Sequence, residues 1–569
     1  MSNSHHYLDG ITWNTIDWQE CQKNVRRIQK RIFKASLSND NNKVRFLQKL
    51  LLRSPHARLI AVHQVTTLNK GKNNISTSQD SPKCFFETLS KPRTSEAGRS
   101  SAKAASAVPK PKVNQVNPEE KLKMAKSLQL NGKAVPMSIP KPGKIEKRPK
   151  LGIPVIRDRA KQVLAKLILE PEWEAKFEPN SYGFRPGRSS HEAVEAIYLQ
   201  LHFNTDKYVY DADLGPFDRI NHNALLDKLN TFPVMEKQIQ AWIKAGIFES
   251  CFSSARRSKQ GLLDSQDSPL VNQVNPKVNL GPASLSPISP LLANIVLHGL
   301  EYHLKNVVSS RDFPKPHPDA ARGKRAKASA LGFVRYADNF IIIHRDKGIL
   351  EKIINETKTW LKQMGLEVSE KKKPIALASK SFVFLGFNFI LVKKNQKYRI
   401  KITPSKENVL RIQEKTRTII KYNKSSSAYE LIRILRPILI GWGNYFKFCE
   451  CKETFKKVDN IIYKQLRAWV FRRAIKQGRQ EVKEKYFPSG NVYSFQGKQY
   501  ASNWILNGTR TVKPMAQHES CFSCAPNQGP NKRSWTQTNH LPKLSWISSQ
   551  KFVKVQGTKS VYDGDLTYC

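Results

Sequence analysis

The sequence is short of acid. Against 96 lysines and arginines stand 46 aspartates and glutamates, a formal charge of +50 over 569 residues. Such an excess is hard to reconcile with an enzyme of small neutral substrates and points to a polyanionic partner, nucleic acid first. Cysteine is scarce too: eight in so long a chain exclude a disulfide scaffold. No apolar run approaches the roughly 18 residues of a membrane span. The longest, Phe382–Val392, is interrupted by Asn388, so no membrane partner is expected. Asp9, Asp17 and Glu20 lie early, with no apolar signal core, which argues against a secretory signal and an imported transit peptide. The expectation is a protein that works where it is made.

What is present is enough apolar residue, 39%, to build sizeable cores, and enough length for several domains. Val25, Ile28, Ile32 and Ala35 recur at helical spacing amid Arg26, Arg27, Lys30, Arg31 and Lys34, a basic amphipathic helix or simply a solvated one. A second helix is expected around Val44–Leu52. Residues 71–118 are rich in Asn, Ser, Thr, Lys and Pro and read as a flexible insert. Ser-Gln-Asp-Ser-Pro occurs at Ser78–Pro82 and Ser265–Pro269, and Val-Asn-Gln-Val-Asn-Pro at Val113–Pro118 and Val271–Pro276. The same two words in the same order mark dispersed repeat tracts in surface loops. Phe313–Ala330 reads as a third loop. Strands are expected at Tyr208–Leu214, in two short runs within Phe333–Ile343 around a polar turn at Asp338–Asn339, and at Phe382–Val392. A helix is expected from His222 to Leu229. Beyond Thr403 the pattern is helical, with Phe455, Val458, Ile462, Leu466 and Trp469 stepping by three or four.

In Tyr208–Leu214 the two-residue period puts Asp211 and Asp213 on one face. A second acid, Asp338, lies at the tip of the expected hairpin. Either motif alone is weak, since an aspartate in a turn is usually a turn residue. Acidic tips on buried apolar strands nevertheless suit Mg²⁺, which takes hard oxygen ligands, and a pair of such ions can clamp both oxygens of a phosphoryl transfer.

The surroundings strengthen that reading. Ile139-Pro-Lys-Pro-Gly143, Arg148-Pro-Lys-Leu-Gly-Ile-Pro154, Ile156-Arg-Asp-Arg159, Leu169-Glu-Pro-Glu-Trp173 and Ser181-Tyr-Gly-Phe-Arg-Pro-Gly187 stand in order. They are followed by Asp211-Ala-Asp-Leu-Gly-Pro-Phe-Asp218, Ile288-Ser-Pro-Leu-Leu-Ala-Asn-Ile295, Tyr336-Ala-Asp-Asn339, Phe384-Leu-Gly-Phe387 and Pro437-Ile-Leu-Ile-Gly-Trp-Gly-Asn-Tyr445. Together with Leu51–Pro55 and Val65–Gly71 they resemble the group II intron-encoded reverse transcriptase/maturase family along nearly the whole chain outside the inserts. The resemblance implies an α+β fold: a right-hand polymerase of fingers, palm and helical thumb, then a helical maturase domain X. It divides the chain into an N-terminal extension (1–70), the insert (71–118), and fingers and palm (119–395, with an insert near 263–279 and the loop 313–330). Thumb and domain X follow (396–490), then a basic tail (491–569). By the same resemblance Asp213 and Asp338 are catalytic, metal-binding carboxylates, Asn339 stands at a third catalytic position, and Lys147, Arg148 and Arg157 lie near nucleotide and template.

This sequence also departs from the family. Its hairpin usually carries two adjacent aspartates; here the second is Asn339, which can ligate but brings no charge. Its Gly-Thr-Pro-Gln-Gly-Gly loop is replaced by Gly281-Pro-Ala-Ser-Leu-Ser286, with Leu285 where glycine allows close approach. Impaired cDNA synthesis is therefore expected. After Val553–Asp565 no paired Cys-x-x-Cys follows, so a complete nuclease is not expected. Cys521 and Cys524 alone, even with His518 or His540, do not make a zinc site, and Cys449 and Cys451 read as structural. By contrast, residues 393–490 hold 25 lysines and arginines against 8 acids, interleaved with aromatics. Trp469 and other aromatics on the apolar stripe read as core, whereas Lys464, Arg467, Arg472 and Arg473 read as RNA contacts. The favoured function is binding intron RNA and promoting its splicing, with Mg²⁺ required only if the polymerase site works. The alternative is an active RNA-directed DNA polymerase; a site-specific endonuclease is disfavoured. DNA and a second copy of the chain are admitted as further partners. A chloroplast is the favoured location, with mitochondrion or bacterial cytoplasm as alternatives.

Overall fold

The computed structural model describes residues 11–68, 116–134, 136–139, 151–202, 205–215, 217, 220–245, 286–310, 323–395, 397–473, 477–512, 535–552, 554, 555 and 559–563. Side-chain caps start the N-terminal helices. Asp17 accepts from the N–H groups of Gln19 and Glu20 to open α1 (Trp18–Leu37), and Asp40 accepts from Lys43 N–H to open α2 (Asn41–Arg53). Such caps contribute about 1 kcal/mol each. Next come α3 (Pro55–His63), α4 (Pro118–Lys126) and the hairpin β1 (Pro136–Ile139)–β2 (Leu151–Pro154). The long α5 (Ile156–Lys176) is buried on most sides because α1, α2 and α3 pack around it. Burial pushes the pKa of its Glu172 up, but Lys176 and Arg45, each at 2.7 Å, outweigh it and hold the carboxyl below its ordinary value.

After α6 (Ser190–Leu201), β3 (Tyr208–Leu214) enters the middle of the main sheet. The chain then forms α7 (His222–Leu229), α8 (Pro233–Lys244), α9 (Ser289–Leu297), α10 (Leu300–Ser309) and α11 (Gly323–Ala330). It returns as β4 (Gly332–Tyr336), β5 (Asn339–His344), α12 (Lys347–Gln363) and β6 (Val368–Leu377). The sheet order is β4-β5-β3-β6, with antiparallel neighbours throughout. Its two faces serve two separate cores: Tyr210, Ala212 and Leu214 pack with the N-terminal helices, whereas Val209, Val334, Ile341 and Ile343 pack with the C-terminal half. That half begins with the sheet β7 (Phe382–Phe384), β8 (Phe387–Lys394) and β9 (Lys397–Pro404). It continues with α13 (Lys406–Tyr422), α14 (Ala428–Phe446), α15 (Lys452–Arg473) and α16 (Arg479–Tyr486).

Three local expectations change. Phe382–Val392 is two strands, because Leu385 and Gly386 take φ of 48° and 84° and reverse the chain. Part of the expected loop at 313–330 is α11, whose Ala-, Lys- and Arg-rich sequence favours helix. After residue 490 the chain forms two hairpins, β10 (Val492–Phe495)–β11 (Lys498–Ala501) and β12 (Asn507–Val512)–β13 (Trp535–His540). The first turns on Gln496 and Gly497, both at positive φ. The second lies on α14, where a Cβ on Gly508 would come within 2.7 Å of the Ala428 carbonyl carbon and overlap the Tyr429 backbone. Gly508→Ala is therefore expected to destabilise by roughly 1–3 kcal/mol in urea unfolding. Gly441→Ala, in open space on the same helix, should be neutral or stabilising by up to about 1 kcal/mol.

Candidate functional site

The β3 face that begins with buried Val209 continues with half-buried Asp211 and Asp213. Across the strand pair, Val209 faces Ile343, Asp211 faces Ile341, and Asp213 faces Asn339. An apolar stripe therefore ends in polar groups at the end of the paired strands. Ala337 and Asp338 form the turn between β4 and β5, with Ala337 at φ 56°. The sequence suggests Asn339 as a turn residue; it is instead the first residue of β5. Leu214 N–H donates to the Asp338 carbonyl at 2.7 Å, stitching the turn to the end of β3. Asn339 Nδ2 donates to Asp338 Oδ1 at 3.0 Å. Asp213, Asp338 and Asn339 are thus brought together, and Asp211 shares their face.

The donors are hard oxygens and fit a divalent cation such as Mg²⁺, which Asp213 and Asp338 would hold. Such an ion, when bound, supplies positive charge to the oxygens of a phosphoryl group. Among the described residues no group of three or more His, Cys, Asp or Glu side chains could hold a metal.

Behind the turn lies Arg335, fully buried. Burial pushes its pKa down to about 10, against the opposing pull of the nearby Glu178 and Glu301 carboxylates. Its guanidinium donates to Ser181 Oγ at 2.6 Å, Asn294 Oδ1 at 3.0 Å and the Ala337 carbonyl at 3.3 Å. Its backbone donates to the Asn180 carbonyl and accepts from Tyr182 N–H, both at 2.9 Å. These bonds lay residues 180–182 beside β4 and bring Gly183 against the turn, where any Cβ would overlap the Ala337 backbone. Asn294 Nδ2 closes the circuit by donating to the Gly183 carbonyl at 2.8 Å. Sequence reasoning missed Arg335, Ser181, Gly183 and Asn294. The available signal was an arginine inside the otherwise apolar run Gly332-Phe-Val-Arg-Tyr336. Arg335→Met should cost about 3–5 kcal/mol in denaturant unfolding, because it removes a charge that acts on buried Glu178 and strands three acceptors.

Lys147, Arg148, Leu285, Cys521, Cys524 and His518 lie outside the described residues. Arg157 is exposed and donates to the Ser127 carbonyl (3.1 Å) and Oγ (3.3 Å), away from the Asp213 cluster's own bonds. Cys449 and Cys451 are buried free thiols, and burial together with the neighbouring Cys451 pushes the Cys449 pKa up. On α15 the stripe from Phe455 to Trp469 is buried, while Lys464, Arg467, Arg472 and Arg473 are all exposed. They are not equivalent. Arg467 lies 5.8 Å from the Phe471 ring; Arg473 lies 4.5 Å over Trp469 and donates to the Ser425 and Ser426 carbonyls, anchoring the α13–α14 connection. Trp442, Tyr445 and Phe446 are core, whereas Tyr422, 82% exposed between Lys421 and Lys424, is an aromatic that can stack on a base. Its place at the end of α13, next to Asn423 where the helix stops, was not singled out from sequence.

Three family models match in succession. Residues 13–79 match the N-terminal domain of reverse transcriptase, 139–389 the reverse transcriptase (RNA-dependent DNA polymerase), and 409–487 the group II intron maturase-specific domain. The chain is 26% identical to the group II intron-encoded protein LtrA of Lactococcus lactis subsp. cremoris, over 54% of this chain and 60% of that protein. It is 24% identical to maturase-like protein 1 of Euglena longa, over 84% of this chain and 86% of that one. An uncharacterized 91 kDa protein in a cob intron of Schizosaccharomyces pombe is 24% identical over 62% of this chain and 48% of its own length. The match thus spans only about half to two thirds of some of these relatives. With three models in family order along one chain, and an α+β fold around the acidic hairpin, the protein belongs to the group II intron-encoded reverse transcriptase/maturase family.

Proposed function

We propose that the protein binds group II intron RNA and promotes its splicing, with the reverse-transcriptase half serving as RNA-binding scaffold more than as polymerase. The observation that carries this reading is the exposed basic face of α15, lying over a buried apolar stripe within the maturase-specific segment. A preorganised cationic surface can neutralise phosphates while the RNA performs the transesterification. The central sheet and its surrounding helices serve as fingers and palm, and α13 to α16 as thumb and domain X. Reduced polymerase activity follows from the Asn339 amide, which leaves two carboxylates where the chemistry favours a third. The second reading, an active RNA-directed DNA polymerase, is supported by the convergence of Asp213 and Asp338 on one hairpin end. DNA remains a secondary ligand, as does pairing with a second copy. Among the described residues no helix is long and apolar enough to cross a membrane. We place the protein with its host intron in an organelle, a chloroplast first, with a mitochondrion or a bacterial cytoplasm as alternatives.

Splicing of precursor RNA at near-physiological Mg²⁺ tests the first reading. Asp213→Asn with Asp338→Asn should leave intron binding and assisted splicing nearly intact. Lys464→Ala, Arg467→Ala and Arg472→Ala together should weaken binding and lower splicing in proportion. The log–log salt slope should flatten by about 0.7–0.9 for each phosphate that is no longer neutralised. Loss of assisted splicing in the folded aspartate double mutant would refute the scaffold role.

Primer extension on an RNA template tests the second reading. Little cDNA is expected from the protein as it stands, and Asn339→Asp should raise the yield if the missing carboxylate limits it. Robust Mg²⁺-dependent extension that is abolished by Asp213→Ala would reverse the ranking of the two activities.

A further inference from the structure

The C-terminal residues do not stop at the helical half. Gln550 N–H donates to the Lys447 carbonyl at 2.9 Å, and Phe552 packs between His191 and Phe448, with ring centroids 5.5 and 5.3 Å away. From there the chain crosses to the N-terminal half. Arg188 donates to the carbonyls of Val555 (3.3 Å) and Lys559 (2.9 Å). Tyr562 is buried, donates to Glu170 Oε2 at 3.1 Å, and places its ring 6.1 Å from Phe33 of α1. A Cβ on Gly187 would lie 2.8 Å from Val561 Cγ1, so the strap lies close over this loop.

Lys554 makes the contact that matters. Its ammonium lies 3.4 Å from Asn180 Oδ1 and 5.4 Å over the Tyr182 ring, and Glu192, Glu301 and Glu195 act on it electrostatically. Burial lowers its pKa, and those three carboxylates oppose the shift. Asn180 is a shared node. Its Oδ1 also accepts from Tyr182 Oη at 3.1 Å, its Nδ2 donates to Glu301 at 2.7 Å, and its backbone carbonyl accepts from Arg335 N–H. Arg335 in turn holds the Ala337 carbonyl. An unbroken polar path therefore runs from Lys554 through Asn180 and Arg335 to the turn that carries Asp338.

We propose that the described C-terminal residues 547–552, 554, 555 and 559–563 act as a positioning strap, in which Lys554 fixes Asn180 and thereby the Asp338 turn, so that they set the geometry of the acidic hairpin. The inference goes beyond RNA binding and is independent of whether the hairpin polymerises. Lys554 is a positioning residue, since it acts through Asn180 and touches none of the candidate site side chains.

Hydrogen exchange of the full-length protein, resolved by peptide, tests it with three variants. Lys554→Gln removes the charge and shortens the stem. It should speed exchange about tenfold at the amides of Tyr182, Arg335 and Leu214, and leave β10–β11 and α15 unchanged. Lys554→Arg should restore slow exchange at those amides. Tyr562→Phe removes a bond of the same strap remote from Asn180, and should leave Arg335 and Leu214 protected. The proposal is overturned if Lys554→Gln leaves residues 332–344 as protected as in the parent. A uniform rise across the chain with a lower Tm would overturn it equally, since that is the mark of a strap that only stabilises.

Discussion

A guanidinium sealed from solvent can persist only if its whole surroundings are arranged for it, because removing a charge from water costs several kcal/mol before any partner is counted. Arg335 meets that condition with Ser181, Asn294, the Ala337 carbonyl and the nearby Glu178 and Glu301. The partners come from three parts of the chain: 178–181, 294–301 and the turn itself. Their joint requirement converts separate segments into one rigid block behind the acidic turn. Gly183 belongs to that block because only a residue without Cβ lets the backbone of 180–183 lie against the hairpin.

The block sits where two hydrophobic cores meet on opposite faces of one sheet. Strand parity decides which side chains go where: even-numbered residues of β3 join the N-terminal core, odd-numbered ones begin in the C-terminal core and end as carboxylates. The helical half holds the other side of the sheet through aromatic contacts and a few directed bonds. Tyr445 Oη donates to the Leu385 carbonyl at 2.9 Å, and His191 Nε2 lies 2.7 Å from the Tyr445 carbonyl. The exposed basic face of α15 and the acidic hairpin on the sheet thus share one mechanical foundation.

Local pattern made much of this legible in sequence. Alternation located β3 and the face of Asp211 and Asp213, periodicity located α1, the helix expected at His222–Leu229 is α7, and the apolar stripe of α15 was readable residue by residue. The family resemblance added the convergence of Asp213 with Asp338. What stayed hidden was long-range or looked ordinary. An arginine between Val334 and Tyr336 reads as an exposed strand position until Ser181 and Asn294 are brought to it by tertiary packing. Lys554 and Asn180 lie 374 residues apart, with no periodic signal linking them. Trp442 and Tyr445 read equally well as stacking platforms or core, and only burial separated them from Tyr422.

The amide at position 339 has an electrostatic consequence. A turn with adjacent carboxylates depends on counterions to hold its shape, because the negative groups push one another apart. Here Asn339 donates to Asp338, so one like-charge repulsion is replaced by an internal hydrogen bond and the turn leans less on counterions than one with adjacent carboxylates. A folded RNA needs the most help when magnesium is scarce. A hairpin that carries one negative charge fewer has less need of ions for its own shape under that same scarcity.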